Sequence, residues 1–265
     1  MRGWNSFFQK LDSLGFLGLR IWHFSYCSFR QDYGRFLKRK LFLHHPLTTL
    51  SGIAGYCRQD QGWSTVRLIT RNSSRDIIPD FAAEPHKSLV AVGYCQKPLP
   101  LNDSGCPAGR FSHHCAWLES NVNLGASPQN PACRRCQLRI IGGQTLAAGI
   151  PFYIMTSALD VARDILLPNL EQVRFRHALF FLCPYAGEAL IAPMLACGIE
   201  GFFLPYSANA CREFTQFIAA DAGDKPQITR VSRETWQWWL NFGDKSPISK
   251  PPQCVRMRGN ILFSG

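Results

Sequence analysis

Between residues 88 and 220, short continuous apolar runs alternate with longer stretches of helical spacing. The runs SLVAVGYC (88–95), PFYIM (151–155), HALFFLC (177–183) and GFFLPY (201–206) have the length and composition of strands. Residues 134–148 read as a helix weakened by Gly142 and Gly143 and closed by Gly149. Ser157 and Asp160 form a capping box for a helix that Pro168 stops. Residues 186–199 read as a helix that Pro193 must kink or split, and residues 211–220 as a further helix. Strand alternating with helix predicts βαβ units, and strands apolar at every position predict helices on both faces. The expected fold is α/β: an open, mainly parallel sheet of about four strands with flanking helices.

The flanks differ. Residues 1–50 mix Arg and Lys with Trp, Phe and Tyr, with Gly15 and Gly18 as interruptions, and read as a basic, aromatic, helical N-terminal extension. Residues 51–87 are polar and broken by Gly, Asn-Ser-Ser and Pro. They form a connecting region in which only 65–70 is strand-like. The cysteine-rich α/β domain is placed at 88–225. Residues 226–265 hold one more helix near 232–242, carrying Trp236, Trp238 and Trp239, and then a loose basic tail.

Composition changes this picture in two ways. The net charge is +11, from 29 Lys+Arg against 18 Asp+Glu, which favours polyanionic partners. There are 11 cysteines in 265 residues, well under the ~8–10% of a disulfide scaffold. No secretory signal is evident, and the most apolar N-terminal stretch, 11–29, carries Asp12 and Arg20. The expected setting is a reducing cytoplasm, where clustered cysteines serve as metal ligands or redox thiols.

Their positions are informative. In a parallel sheet all carboxyl ends lie on one edge, and ligand sites gather there. Cys95 ends the first predicted strand, Cys183 ends the third, and Cys211 follows the fourth. Cys133 and Cys136 begin the first helix, and Cys106 and Cys115 lie in the loop before it. Cys133-Arg-Arg-Cys136 has the two-residue gap that lets both sulfurs reach one metal. Helix N-termini would favour thiolates at Cys133, Cys136 and Cys211. Arg110, Arg134, Arg135 and Arg139 could offset a negative metal centre, and His113 and His114 add nitrogen donors. Cys197 reads as core, and Cys27, Cys57 and Cys254 lie outside the pattern.

Four segments carry a family resemblance: YCQKPLPLNDSGCPAGRFSHHC, CRRCQLRIIGGQTLAAGIPFYIMTS, ALFFLCPYAGEAL and GIEGFFLPYSANAC. Together they resemble a cysteine-rich domain family of unknown function from archaea and anaerobic bacteria. That family is described by about seven shared cysteines and is sometimes suspected of membrane association. The resemblance covers about half the chain. It implies the same seven positions: Cys95, Cys106, Cys115, Cys133, Cys136, Cys183 and Cys211.

The expected function is a cytoplasmic, cysteine-liganded metal protein. Seven thiols exceed the four of one closed site. That surplus, with the anaerobic hosts of the resembling family, favours an iron–sulfur cluster over zinc. The alternative is a basic protein that binds nucleic acid, or an anionic membrane surface peripherally, with only a structural zinc. No G-x-G-x-x-G, P-loop, G-x-S-x-G or H-E-x-x-H motif is present. Ile141-Gly-Gly-Gln144 reads as close packing, and Glu188 as a helix-dipole complement or a general acid or base.

Overall fold

The computed structural model describes residues 2–18, 20–59, 65–71, 77–100, 105–120, 128, 130–245 and 254–264. Four parallel strands form its centre: β2 (Ser88–Gly93), β3 (Phe152–Met155), β4 (His177–Leu182) and β5 (Glu200–Ala208). All residues of β3 and β4 are buried, as helices on both faces require. The expected four strands are therefore the core of a larger sheet. β1 (Arg67–Ile69) and β6 (Arg230–Val231) pair antiparallel with β5, and the hairpin of β7 (Val255–Arg258) and β8 (Ile261–Ser264) adds antiparallel to β3. The order is β1-β5-β4-β2-β3-β8-β7, with β6 beside β5.

The hairpin corrects the expectation of a loose tail. Gly259, at φ +59°, and Asn260 make its two-residue turn, a conformation glycine enters without strain. Ile261 and Leu262 are buried against the edge of β3. The rest of that tail, 246–253, lies outside the described residues.

Eight helices matter below. They are α1 (Arg2–Leu14), α2 (Trp22–Ser28), α3 (Asp32–Leu37), α4 (Pro46–Cys57), α5 (Gln137–Ala147), α6 (Pro184–Ala196), α7 (Phe214–Asp221) and α8 (Arg233–Lys245). The Asp12 carboxylate of α1 accepts the backbone N–H groups of Trp22 and His23, at 2.6 and 3.1 Å, and so caps α2. Phe24, Tyr33, Leu41 and Tyr56 from this N-terminal region are buried in the main core. α4 lies tight on α6: a Cβ at Gly52 would sit 2.5 Å from the Ala192 carbonyl oxygen. On α8, Trp239 is buried edge-on to Phe181.

Two helix expectations shift. Pro168 does not stop its helix: the run from Ala158 passes through a π-helical stretch at Ala162–Leu166 and ends with Leu167–Glu171. The wider turn relieves the loss of proline's N–H bond. Residue 211 is not helical, because α7 begins at Phe214 behind the N-cap Glu213. The Ser157 hydroxyl does cap the N–H of Asp160, at 3.1 Å. Pro193 is accommodated inside α6. Gly142 permits close packing, since a Cβ there would lie 2.5 Å from Leu118 Cδ1.

Candidate functional site

The strand order sets the site. β2 leads to β3 on one side of it, whereas β4 leads to β5 on the other. The connections diverge beyond the carboxyl ends of β2 and β4, which opens the crevice where open α/β sheets bind ligands. Cys95 follows β2, and Cys183 follows β4 as the N-cap of α6. Both line a cavity of about 110 Å³ together with Cys211, Tyr206 and Lys225.

Within this cavity the three thiols are held by specific contacts. The backbone N–H of Cys211 donates to Cys183 Sγ at 3.1 Å, and Lys225 Nζ donates to Cys211 Sγ at 3.3 Å. Thr229 Oγ1 donates to Cys95 Sγ at 3.0 Å. A hydrogen bond from the Cys183 thiol, and then the Lys225 charge, hold Cys211 well below the usual thiol range against the opposing effect of burial. Cys183, as the donor of that bond and buried, is pushed up. Burial raises Cys95 to about 11. Arg110 fastens the Lys225 segment: its guanidinium donates to the carbonyls of Lys225, Gln227 (2.6 Å) and Cys95 (3.2 Å).

The other four predicted cysteines form a second group. Cys106, Cys115, Cys133 and Cys136 lie close enough to influence one another's charge. Cys136 is the N-cap of α5, and Cys133 lies in the helical turn Pro131–Arg134 before it. Cys136 lines a different cavity, with Gln96 and Arg135. Helix N-termini do not lower these thiols as expected. Burial outweighs the N–H groups, raising Cys136 to about 11 and Cys115 to about 12.

At the heart of this group is Lys97, only 1% exposed. Its ammonium donates to the carbonyls of Ser112 (2.7 Å), His114 (2.7 Å) and Gly109 (3.2 Å), and to Ser112 Oγ (3.0 Å). The loop from Cys106 to Cys115 is thus wound around one buried cation. Among the described residues no carboxylate lies within ion-pair distance of it, and burial pushes its pKa down, against the pull of Cys106, Cys115 and Cys136. Among the described residues, as placed, no three His, Cys, Asp or Glu side chains converge closely enough to hold a single ion.

The remaining expectations resolve individually. His113 is fixed to β3, its ring nitrogens 2.7 Å from the Ile154 carbonyl and 3.0 Å from Thr156 Oγ1, which occupies both. His114 meets Glu119 at 3.0 Å. Glu188 is neither a dipole complement alone nor a free acid or base. It pairs with Arg67 at 2.6 Å and accepts the Tyr56 hydroxyl at 2.7 Å, tying β1 and α4 to α6. Arg139 donates to the Cys133 carbonyl at 2.9 Å, and Arg134 to that of Pro128 at 3.1 Å. Cys197 is buried as core, and Cys57 is exposed. Sequence reasoning missed Lys97 and Lys225, because nothing in hydropathy marks which lysine folds onto the protein instead of into solvent.

The chain matches no family model, no curated protein and no solved structure.

Proposed function

We propose that the protein binds a metal centre through Cys106, Cys115, Cys133 and Cys136. The observation that carries this reading is the buried Lys97 ammonium in their midst. A cation out of water whose hydrogen-bond acceptors are all neutral, with the Glu119 carboxylate acting only from beyond ion-pair distance, is costly, and a tetrathiolate centre bears the net negative charge that would balance it. The C-x-x-C pair at the start of α5, with two thiols from the preceding loop, is a donor set suited to zinc or to a cubane iron–sulfur cluster. Ligation would draw together four side chains that do not converge on one point in the structure. Cys95, Cys183 and Cys211, whose surplus favoured iron–sulfur on sequence grounds, face another cavity. The resemblance to the cysteine-rich family spans all seven cysteines, of which this reading assigns four to the metal.

Metal analysis and an optical spectrum of anaerobically isolated protein test the reading. One zinc, or about four irons with sulfur-to-iron charge-transfer absorption, is expected per chain. Cys106→Ser, Cys115→Ser, Cys133→Ser and Cys136→Ser should each lower that content. Protein with neither metal, and no loss of thermal stability on chelation, would overturn it.

A second reading, peripheral attachment to an anionic membrane, is favoured by the distribution of exposed apolar side chains. Among the described residues, all large ones other than Phe111 and Val173 lie within residues 1–50, including Trp4, Phe7, Phe16, Leu17, Phe42 and Leu47. Exposed Lys10, Arg20, Arg30, Arg35, Lys38 and Arg39 share this region. Aromatic and basic residues in this mixture suit the headgroup boundary. No helix among the described residues is long and apolar enough to cross a membrane. Co-sedimentation with vesicles containing phosphatidylserine, weakened in Trp4→Ser/Phe7→Ser, is the expected result. Equal recovery in the supernatant with and without vesicles would remove this reading.

A further inference from the structure

We propose that Cys183 and Cys211 form a dithiol–disulfide couple, separate from the metal thiols, that exchanges with small organic disulfides in the cavity at the carboxyl ends of β2 and β4. Both are free thiols that line this cavity. Twenty-eight residues separate them in the chain, yet the Cys211 N–H donates to Cys183 Sγ at 3.1 Å. The fold therefore brings the Cys183 sulfur onto the Cys211 backbone, with the two thiols within hydrogen-bond reach of each other.

The surroundings give the two thiols unequal roles. Cys211 Sγ receives the Lys225 ammonium at 3.3 Å, and an adjacent cation favours the thiolate, which is the attacking form. The influences on Cys183 are Cys211, burial and Cys95 rather than a cation, and it sits directly after β4, positioned to resolve. Lys225 is itself anchored through its own carbonyl by Arg110, which also grips Gln227 and Cys95. The other ionisable groups lining the cavity are Cys95, Tyr33, Tyr94, Tyr206 and Asp221. Of these, Tyr94 donates to the Ala220 carbonyl at 2.6 Å, the Tyr206 hydroxyl accepts the Gly93 N–H at 2.9 Å, and Asp221 accepts the Ala158 N–H at 2.5 Å. The rest of the wall is mostly apolar, with Met155, Leu182, Leu190 and Phe217 beside the hydroxyl residues Thr156 and Ser157, and the cavity of about 110 Å³ admits a small, uncharged substituent.

The Cys211 thiolate attacks one sulfur of the organic disulfide RSSR, forming Cys211–S–SR and expelling RS⁻. That leaving thiolate takes the proton of the Cys183 thiol. Cys183 sulfur then attacks Cys211 Sγ, forming the Cys183–Cys211 bond and expelling the second RS⁻, which takes a proton from solvent, replacing the one Cys211 gave up on ionising. RSSR is reduced by two electrons to two RSH, and two protein thiols are oxidised to one disulfide.

The test uses reduced full-length protein with its metal in place and 2-hydroxyethyl disulfide as probe. Products are trapped with N-ethylmaleimide and mapped by peptide mass spectrometry. Wild-type protein should yield the Cys183–Cys211 peptide and release two equivalents of mercaptoethanol. Cys183→Ser should stop at a mixed disulfide on Cys211 with one equivalent released. Lys225→Met, a partly exposed position, should keep the native circular dichroism and slow the first step by about tenfold. A disulfide from Cys95 instead, or thiols that react only in urea, would overturn the couple. Metal content is read on the same samples. Loss of metal in Cys183→Ser or Cys211→Ser would place these thiols in the metal centre and overturn the couple, whereas metal-free wild-type protein that still exchanges would sink only the metal reading.

Discussion

Lys97 donates to the carbonyl of His114 at 2.7 Å from a position 1% exposed, so a buried charge fixes the path of a loop that carries two of the proposed ligands. The carbonyls of Gly109 and Ser112 share the same donor. Lys97→Met should leave them without it and remove the charge that would offset the thiolates of the proposed centre. Acceptors left without a donor cost at most about 1–3 kcal/mol each, and less at Gly109 and His114, which are exposed residues. A loss of roughly 2–3 kcal/mol in urea unfolding is expected, together with easier metal removal by a chelator. Wild-type chelator resistance in this variant would show that the ammonium does not balance the centre.

The meeting of Cys95, Cys183 and Cys211 at one cavity was legible in the sequence, and the physical reason is direct. Continuous apolar runs ending in Cys95 and Cys183 identify parallel strands and their common edge, which brings these residues to one cavity with Cys211. The division of the seven cysteines into groups of three and four was not legible. It depends on Lys97 and Arg110 pinning the long loop after β2, and neither contact has a periodic signature. The β7–β8 hairpin was readable from Gly259-Asn260 between two short alternating segments, but the surrounding basic residues suggested a solvated tail. Glu188 looked available for chemistry because its partner Arg67 is 121 residues away.

That pair supports a second prediction. The side chains of Arg67 and Glu188 are 4% and 16% exposed, and Tyr56 adds a hydrogen bond to the carboxylate. Removing one member of a buried pair strands the other charge, at a cost of about 3–5 kcal/mol. Glu188→Ala should destabilise by that order, while Arg67→Met/Glu188→Leu recovers most of the loss. Denaturant midpoints for both variants check this, and a Glu188→Ala loss under about 1 kcal/mol would mean the pair is effectively solvated.

Two helical glycines should respond in opposite directions. A Cβ on Gly52 would meet the Ala192 carbonyl oxygen at 2.5 Å and Ala196 Cβ at 2.7 Å, forcing α4 away from α6. Gly52→Ala should cost roughly 1–3 kcal/mol through this strain, partly offset by a helix-propensity gain of about 1 kcal/mol. Gly143, in α5, has nothing within 4 Å of its added Cβ, so Gly143→Ala should gain about 0.5–1 kcal/mol. Melting temperatures that move together would contradict the close α4–α6 approach.

Asp221, at the end of α7, gives the protein a pH dependence of defined sign. Burial raises its carboxyl from 3.8 to about 6, opposed by the Ala158 N–H and reinforced by the charge of Asp160. The folded state therefore keeps a proton between about pH 4 and 6 that the unfolded chain releases. This contribution to stability is fully present below the unfolded pKa and lost as pH rises through the folded one. Asp160 opposes it. Burial disfavours that carboxylate, but the hydroxyls of Thr156 and Ser157, with His113, outweigh burial and hold it below the usual range, so its stabilising contribution is lost as pH falls. Asp221→Asn isolates the first effect, because the amide oxygen still accepts the Ala158 N–H without bearing charge. The variant should be more stable than wild type by about 1–2 kcal/mol at pH 8, and the difference should vanish towards pH 4. Urea unfolding of both proteins across pH 4–8 measures it, and a gap that does not change with pH would assign Asp221 an ordinary carboxylate pKa.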